Sequence, residues 1–216
     1  NKHDETPLSI ACKKNHFFVL RYILSKMKHT EDKLQLIEMV WKYEITKTSD
    51  NYRRKDDYQL GINCVLTCCL FQNLGCLKEI LSHYNDKSIT NILSFKNNKQ
   101  QSIYRFIKNI ETCKFLEKTF KSFQVGFKEF NEVDVDGMSP FMAIIKHSSK
   151  LKFIIWILNQ CKTDSEKLKL IYNCNRDGDN ALDLAPAGSM QELFLIKTIK
   201  SILSTYQRIK DITFLV

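Results

Sequence analysis

The stretch VDVDGMSPFMAII, Val133 to Ile145, decides how the whole chain is read. With Glu132 in front, it sets acidic residues at every second position ahead of Gly137, as a calcium loop begins. It also fits a tight turn that opens a helix. In that reading an Asp satisfies a local amide, Gly137 supplies a left-handed dihedral, Ser139 ties the turn to the helix start, and Pro140 sits where no amide donor is needed. A calcium loop starting at Glu132 requires a bidentate Glu at its last position, and that position is Ala143. A comparable stretch, NCNRDGDNALDL from Asn173, has Leu184 there. Both stretches are therefore read as turns, with no metal or cofactor assigned.

The same order of turn, short apolar helix, polar break and second helix returns along the chain. It is carried by TPLSIACKKNHFFVLRYIL (6–24), GINCVLTCCLFQNLGCLKEIL (61–81), KQQSIYRFIKNIETCKFLEKTF (99–120), SPFMAIIKHSSKLKFIIWIL (139–158) and GDNALDLAPAGSMQELFLIKTI (178–199). With the turn position at Asp4, Gly61, Lys99, Gly137 and Gly178, successive spacings are 57, 38, 38 and 41. The surplus length has its own pattern: KHTEDKLQLIEMVW (28–41) and CKTDSEKLKLIYNC (161–174) match residue for residue around EDKLQLI and SEKLKLI. Thr163 with Glu166 fits a capping box, and Leu34, Ile37, Val40 and Trp41 line one helical face. DKSITNILSF (86–95) and QVGFKEFNEV (124–133) occupy the corresponding places, so a short third helix is expected in every connection. The stretch 44–57 is a polar insertion without a helical stripe.

TPLSIA, SPFMAI and GDNALDLA resemble the openings of ankyrin repeats, and the likeness extends over nearly the whole chain. It implies an all-α fold: a single solenoid domain, 1–216, of about five divergent repeats near 1–43, 58–95, 96–133, 134–174 and 175–216. Each unit exceeds the roughly 33 residues of a standard ankyrin repeat. The resemblance also implies that His16 braces the inter-helix turn. The long helix of the last unit is expected to cap the array, and further repeats or another domain are expected before Asn1. The Lys-, Asn- and Ile-rich composition with long repeats is similar to ankyrin proteins of intracellular bacteria that act inside a host cell.

Composition narrows the function classes. With 44% hydrophobic and 26% charged residues the chain is ordinary for a folded domain, and no stretch approaches the roughly 18 apolar residues of a membrane span. No signal-peptide pattern precedes the first unit, which points to an intracellular or cytoplasmic site of action. The eight cysteines include no CxxC pair. Cys64, Cys68, Cys69 and Cys76, with His83 nearby, raise zinc, but their spacing suits packing better than ligation, because Cys68 and Cys69 stand where the motif has paired alanines. No nucleophile elbow, Walker loop, HExxH or dinucleotide glycine motif occurs, so no catalytic residue is assigned.

The function expected is binding of another protein, with substrate recruitment for a longer enzyme as one alternative. A basic nucleic-acid or lipid-binding platform is the other, raised by the net charge of +9. Ankyrin-like arrays meet partners through turn tips and the inner face of each first helix. That implies a site at Lys13 and Lys14, Leu70 and Phe71, Lys108, and Lys146 and His147, with Leu60 and Ile62 of the adjoining turn adding to an apolar patch. Lysines flanking the patch imply a partner with an acidic rim.

Overall fold

A computed structural model of the chain describes residues 5–44, 59–120, 123–147 and 151–213. It is mostly helical, and the chain divides into two compact units, 1–124 and 125–216.

The first unit opens with the hairpin α1 (Pro7–Lys14) and α2 (Phe17–Lys26). Local chemistry fixes the start of α1: the Ser9 amide donates to Thr6 Oγ1 at 3.1 Å and the Thr6 amide to Ser9 Oγ at 2.9 Å, a reciprocal cap, with Pro7 at the first helical turn. The break between the helices is a left-handed residue, Asn15, with φ of 57°. The same device recurs in the hairpin α4 (Cys64–Leu70) and α5 (Leu74–Leu81), where Gln72 has φ of 59°. In both, the next amide reaches back to close the helix end: His16 to the Ala11 carbonyl at 2.9 Å, and Asn73 to the Cys68 carbonyl at 2.8 Å. α7 (Ile103–Phe106) and α8 (Ile110–Thr119) follow in the same order along the chain. First helices pack on first helices, α1 on α4 and α4 on α7, while α2 packs on α5.

The expected third helices are present in this unit as α3 (Thr30–Glu38) and α6 (Asp86–Leu93). The apolar face of α3 is shorter than the sequence suggests. Ile37 is buried, but the helix stops at Glu38, so Val40 and Trp41 lie outside it. Trp41 instead begins β1 (Trp41–Glu44), which pairs antiparallel with β2 (Gln59–Ile62) in the register Trp41 with Ile62 through Glu44 with Gln59. The insertion 44–57 falls, beyond Glu44, outside the described residues.

The second unit is built on α9 (Phe127–Asn131), α10 (Pro140–His147), α11 (Leu151–Gln160), α12 (Asp164–Tyr172) and α13 (Met190–Thr213). Here α9 and α12 are the expected connecting helices. α12 carries the expected cap, since the Glu166 amide donates to Thr163 Oγ1 at 3.2 Å; the Glu166 carboxylate, however, turns back to the Lys162 amide at 2.6 Å instead of to Thr163. α9 packs on α10, α11 and α12, and its Phe130 meets Phe153 edge to face with centroids 6.3 Å apart. α13 buries Leu195, Ile199 and Ile202 and packs on α11 and α12. The stretch expected as a fifth repeat has no first helix: Ala181 to Ala185 form a run of turns, because Pro186 stops the segment before a second helical turn can form.

Candidate interaction surface

The residues from Asp134 to Met138 fold as a turn, and the turn is one of three copies. Asp134 Oδ1 accepts the amides of Asp136 at 3.0 Å and Met138 at 2.9 Å. Asn97 Oδ1 accepts those of Lys99 and Gln101 at 3.0 and 2.9 Å, and Asn175 Oδ1 those of Asp177 and Asp179, both at 2.9 Å. In each copy the fourth residue is left-handed: Gln100 at φ 60°, Gly137 at 73°, Gly178 at 88°. The turn position in the third repeat is therefore Gln100 and not Lys99, because it is the left-handed residue that reverses the chain. Gly61 does not belong to this set, since it lies in β2, outside the left-handed region, and its amide donates to Asn98 Oδ1 at 3.0 Å. Within the second unit successive turns are tied together, with the Arg176 amide donating to the Asp136 carbonyl at 3.1 Å. Asp4 lies outside the described residues.

The ends of the first helices are also tied in sequence order. Asn73 Nδ2 donates to the Cys12 carbonyl at 2.5 Å, and Asn109 Nδ2 to Gln72 Oε1 at 3.3 Å. Asn73 thus braces the break after α1, and Asn109 the break after α4. His16, expected to brace its own turn, is exposed and makes no side-chain bond to the start of α2. The asparagine two positions after Phe71 takes that role, reaching the previous repeat where an imidazole would reach its own.

These bonds bring the ends of α1, α4 and α7 to one edge of the first unit, and with them Lys13, Lys14, Leu70, Phe71 and Lys108. Lys14 is exposed, Leu70, Phe71 and Lys108 are half-buried, and Lys13 is half-buried with Nζ 2.9 Å from Glu5 Oε1. Lys146 and His147 are exposed at the corresponding end of α10, in the second unit. Ile62 is not on the surface: it is fully buried, at the opposite end of α4 from Leu70. The backbone of Leu60 pairs with Tyr43. A seven-residue helix is about 10 Å long, so Ile62, buried before its start, does not join Leu70 and Phe71 in one exposed patch.

All eight cysteines are free thiols, seven of them buried and Cys174 exposed. Burial, partly offset by a hydrogen bond with Cys12, pushes the Cys68 thiol up to about 11; the bond to Cys12 and burial raise Cys64 as well. These are thiols packed as small apolar groups, and among the described residues no three His, Cys, Asp or Glu side chains converge to hold a metal ion. The charge is uneven. Residues 1–124 hold 21 Lys and Arg against 13 Asp and Glu, a net of +8, whereas 125–216 hold 12 against 11, a net of +1.

No protein-family model and no curated protein matches this chain. Geometry and charge therefore carry the functional conclusion. Among the described residues, no helix is long and apolar enough to cross a membrane.

Proposed function

We propose that the chain is a protein-interaction module of ankyrin-like repeats that binds an acidic-rimmed partner along the edge formed by the ends of its first helices, inside a reducing compartment. The observation that carries this reading is the row α1, α4, α7, in which the end of α1 is braced by Asn73 and that of α4 by Asn109. A row of this kind presents side chains from successive repeats at a fixed interval, which is how repeat arrays build a binding surface from short elements. Lys14 and Lys108 flank Leu70 and Phe71 on that edge, and the excess of positive charge in the first unit favours an acidic partner. In the second unit Lys146 and His147 hold the equivalent position.

Affinity capture from cell lysate with the full chain, followed by mass spectrometry, identifies the partner. Phe71→Ala is then expected to weaken binding by more than about 1 kcal/mol, as truncated interface anchors do. Lys108→Glu is expected mainly to slow association and to alter its salt dependence. A captured partner that binds both variants as it binds the parent chain would remove the first-helix edge from consideration.

A further inference from the structure

The outward side of α2 carries a feature that the first-helix edge does not use. Phe18 is 82% exposed, Tyr22 62% and Val19 50%, on a helix whose opposite face buries Leu20 and Leu24. Phe18, Tyr22 and Lys26 recur every four residues and so form one ridge along the helix. Scattered single exposed apolar residues are ordinary, but two aromatic rings and a valine side by side on ten residues are the kind of patch that marks a contact surface. The ridge is organised and not frayed. Phe18 meets the half-buried Phe17 edge to face at 5.5 Å, and Lys26 Nζ stands 5.2 Å from the centre of the Tyr22 ring.

The charge around the ridge says what covers it. Lys26 and Lys28 are exposed at its C-terminal end, and Arg21, on the same helix, lies 3.9 Å from Glu79 of α5 with most of its side chain in solvent. No acidic residue occurs between Phe17 and His29. Three residues beyond Lys28, however, α3 opens with the exposed Glu31 and Asp32. A broad anionic surface such as a membrane meets both signs of charge there. A narrow acidic segment meets only the basic one.

We propose that the Phe18–Tyr22–Lys26 ridge is a second docking surface, occupied by an acidic segment of a partner protein that carries an apolar anchor. The inference rests on the interaction-module reading and adds to it a surface on a second helix. Phe18 and Tyr22 are its anchors, since exposed aromatic rings lose little side-chain freedom on docking and contribute most of the energy at interface centres. Lys26 and Lys28 steer the acidic segment and set its register.

The test is selection of a randomised displayed peptide library against the immobilised full chain. The peptides expected to be enriched combine Asp or Glu with Leu, Phe or Trp, and the double variant Phe18→Ser, Tyr22→Ser is expected to bind them at least about tenfold more weakly. That variant should keep the parent melting temperature, both side chains being exposed. Phe71→Ala should bind the same peptides as the parent chain does. Enriched peptides that bind the double variant as tightly as the parent but lose affinity for Phe71→Ala would support the first-helix edge and overturn the ridge. A selection that yields no peptide sensitive to the double variant also overturns it. So does sedimentation with phosphatidylserine vesicles that the double variant abolishes and the enriched peptides do not compete, because that result gives the ridge to a membrane.

Discussion

Gly137 and Gly178 stand in equivalent turns and share left-handed backbone angles, yet their surroundings differ. A Cβ at Gly137 would meet the Arg176 amide nitrogen at 3.0 Å, whereas nothing lies within 4 Å of one at Gly178. Gly178→Ala is expected to cost about 1 kcal/mol, the left-handed penalty alone, and Gly137→Ala distinctly more, measured as the difference in urea unfolding free energy. Equal losses would mean that the backbone around Arg176 moves aside freely. His83 is under a different constraint. Burial, joined by the nearby Lys33 charge and opposed by Glu79, lowers its pKa below the ordinary 6.5, and its Nε2 is buried with no hydrogen-bond partner among the described residues. The folded chain therefore holds fewer protons at this site than the unfolded one as pH falls through 6.5, so the site favours folding above that pH and opposes it below. The loss of melting temperature between pH 7 and pH 5 is expected to be smaller in His83→Gln than in the parent. Single residues are legible in the sequence where one atom has one role, and so the carboxylate or amide oxygen of a turn and the glycine after it are read directly from Asp-x-Asp-Gly. Gln100 is not, because a non-glycine residue in the left-handed region is selected by its neighbours' bonds and carries no signature of its own.

Helix starts are the most readable elements, since a cap is a short-range interaction between residues three apart. Their worth varies with burial. Asn63 is buried and its Oδ1 accepts the Leu66 amide at 3.0 Å, while Thr6 caps α1 at a half-buried site. Thr6→Ala is expected to cost about 1 kcal/mol, and Asn63→Ala more, because the amide left behind has no water to turn to. Thermal or urea unfolding of the two variants decides the order. The connecting helices follow from the same signals, an acidic first turn and an apolar stripe, and they form where those signals stand. The β1–β2 pair is the element a helical reading of 28–41 runs past. Its mark is nonetheless in the sequence, as Trp41 and Tyr43 alternate with Lys42 and Glu44, a period of two that takes over from the period of α3. The first helix expected at 178–185 and missing there is the converse case. GDNALDLA reads as a helix start, but Pro186 and the Gly188 turn that follows leave it too few residues to propagate. The exposed ridge of α2 is not legible at all, because Phe18 and Tyr22 look like core residues until the position of α5 shows which side of the helix is covered.

For the molecule as a whole, stability in the second unit depends on α13, which closes the apolar faces of α11 and α12. Deleting residues 175–216 uncovers those faces, and the shortened chain is expected to elute as aggregates and to melt at lower temperature. A truncated chain that stays monodisperse with an unchanged melting temperature would show that α13 is an accessory. In the first unit the register of the two strands has a different kind of consequence. Glu44 and Gln59 stand opposite one another, so the segment between them begins and ends at almost the same point. Whatever joins them is spliced in at a doorway already closed by paired backbone. Replacing 45–58 with Asn-Gly, which suits a two-residue connection between paired strands, is expected to leave the helical spectrum intact, as circular dichroism measures. The same doorway admits foreign cargo. A fluorescent protein or epitope whose own ends lie close together can be grafted between Glu44 and Gln59, giving a reporter built into the chain.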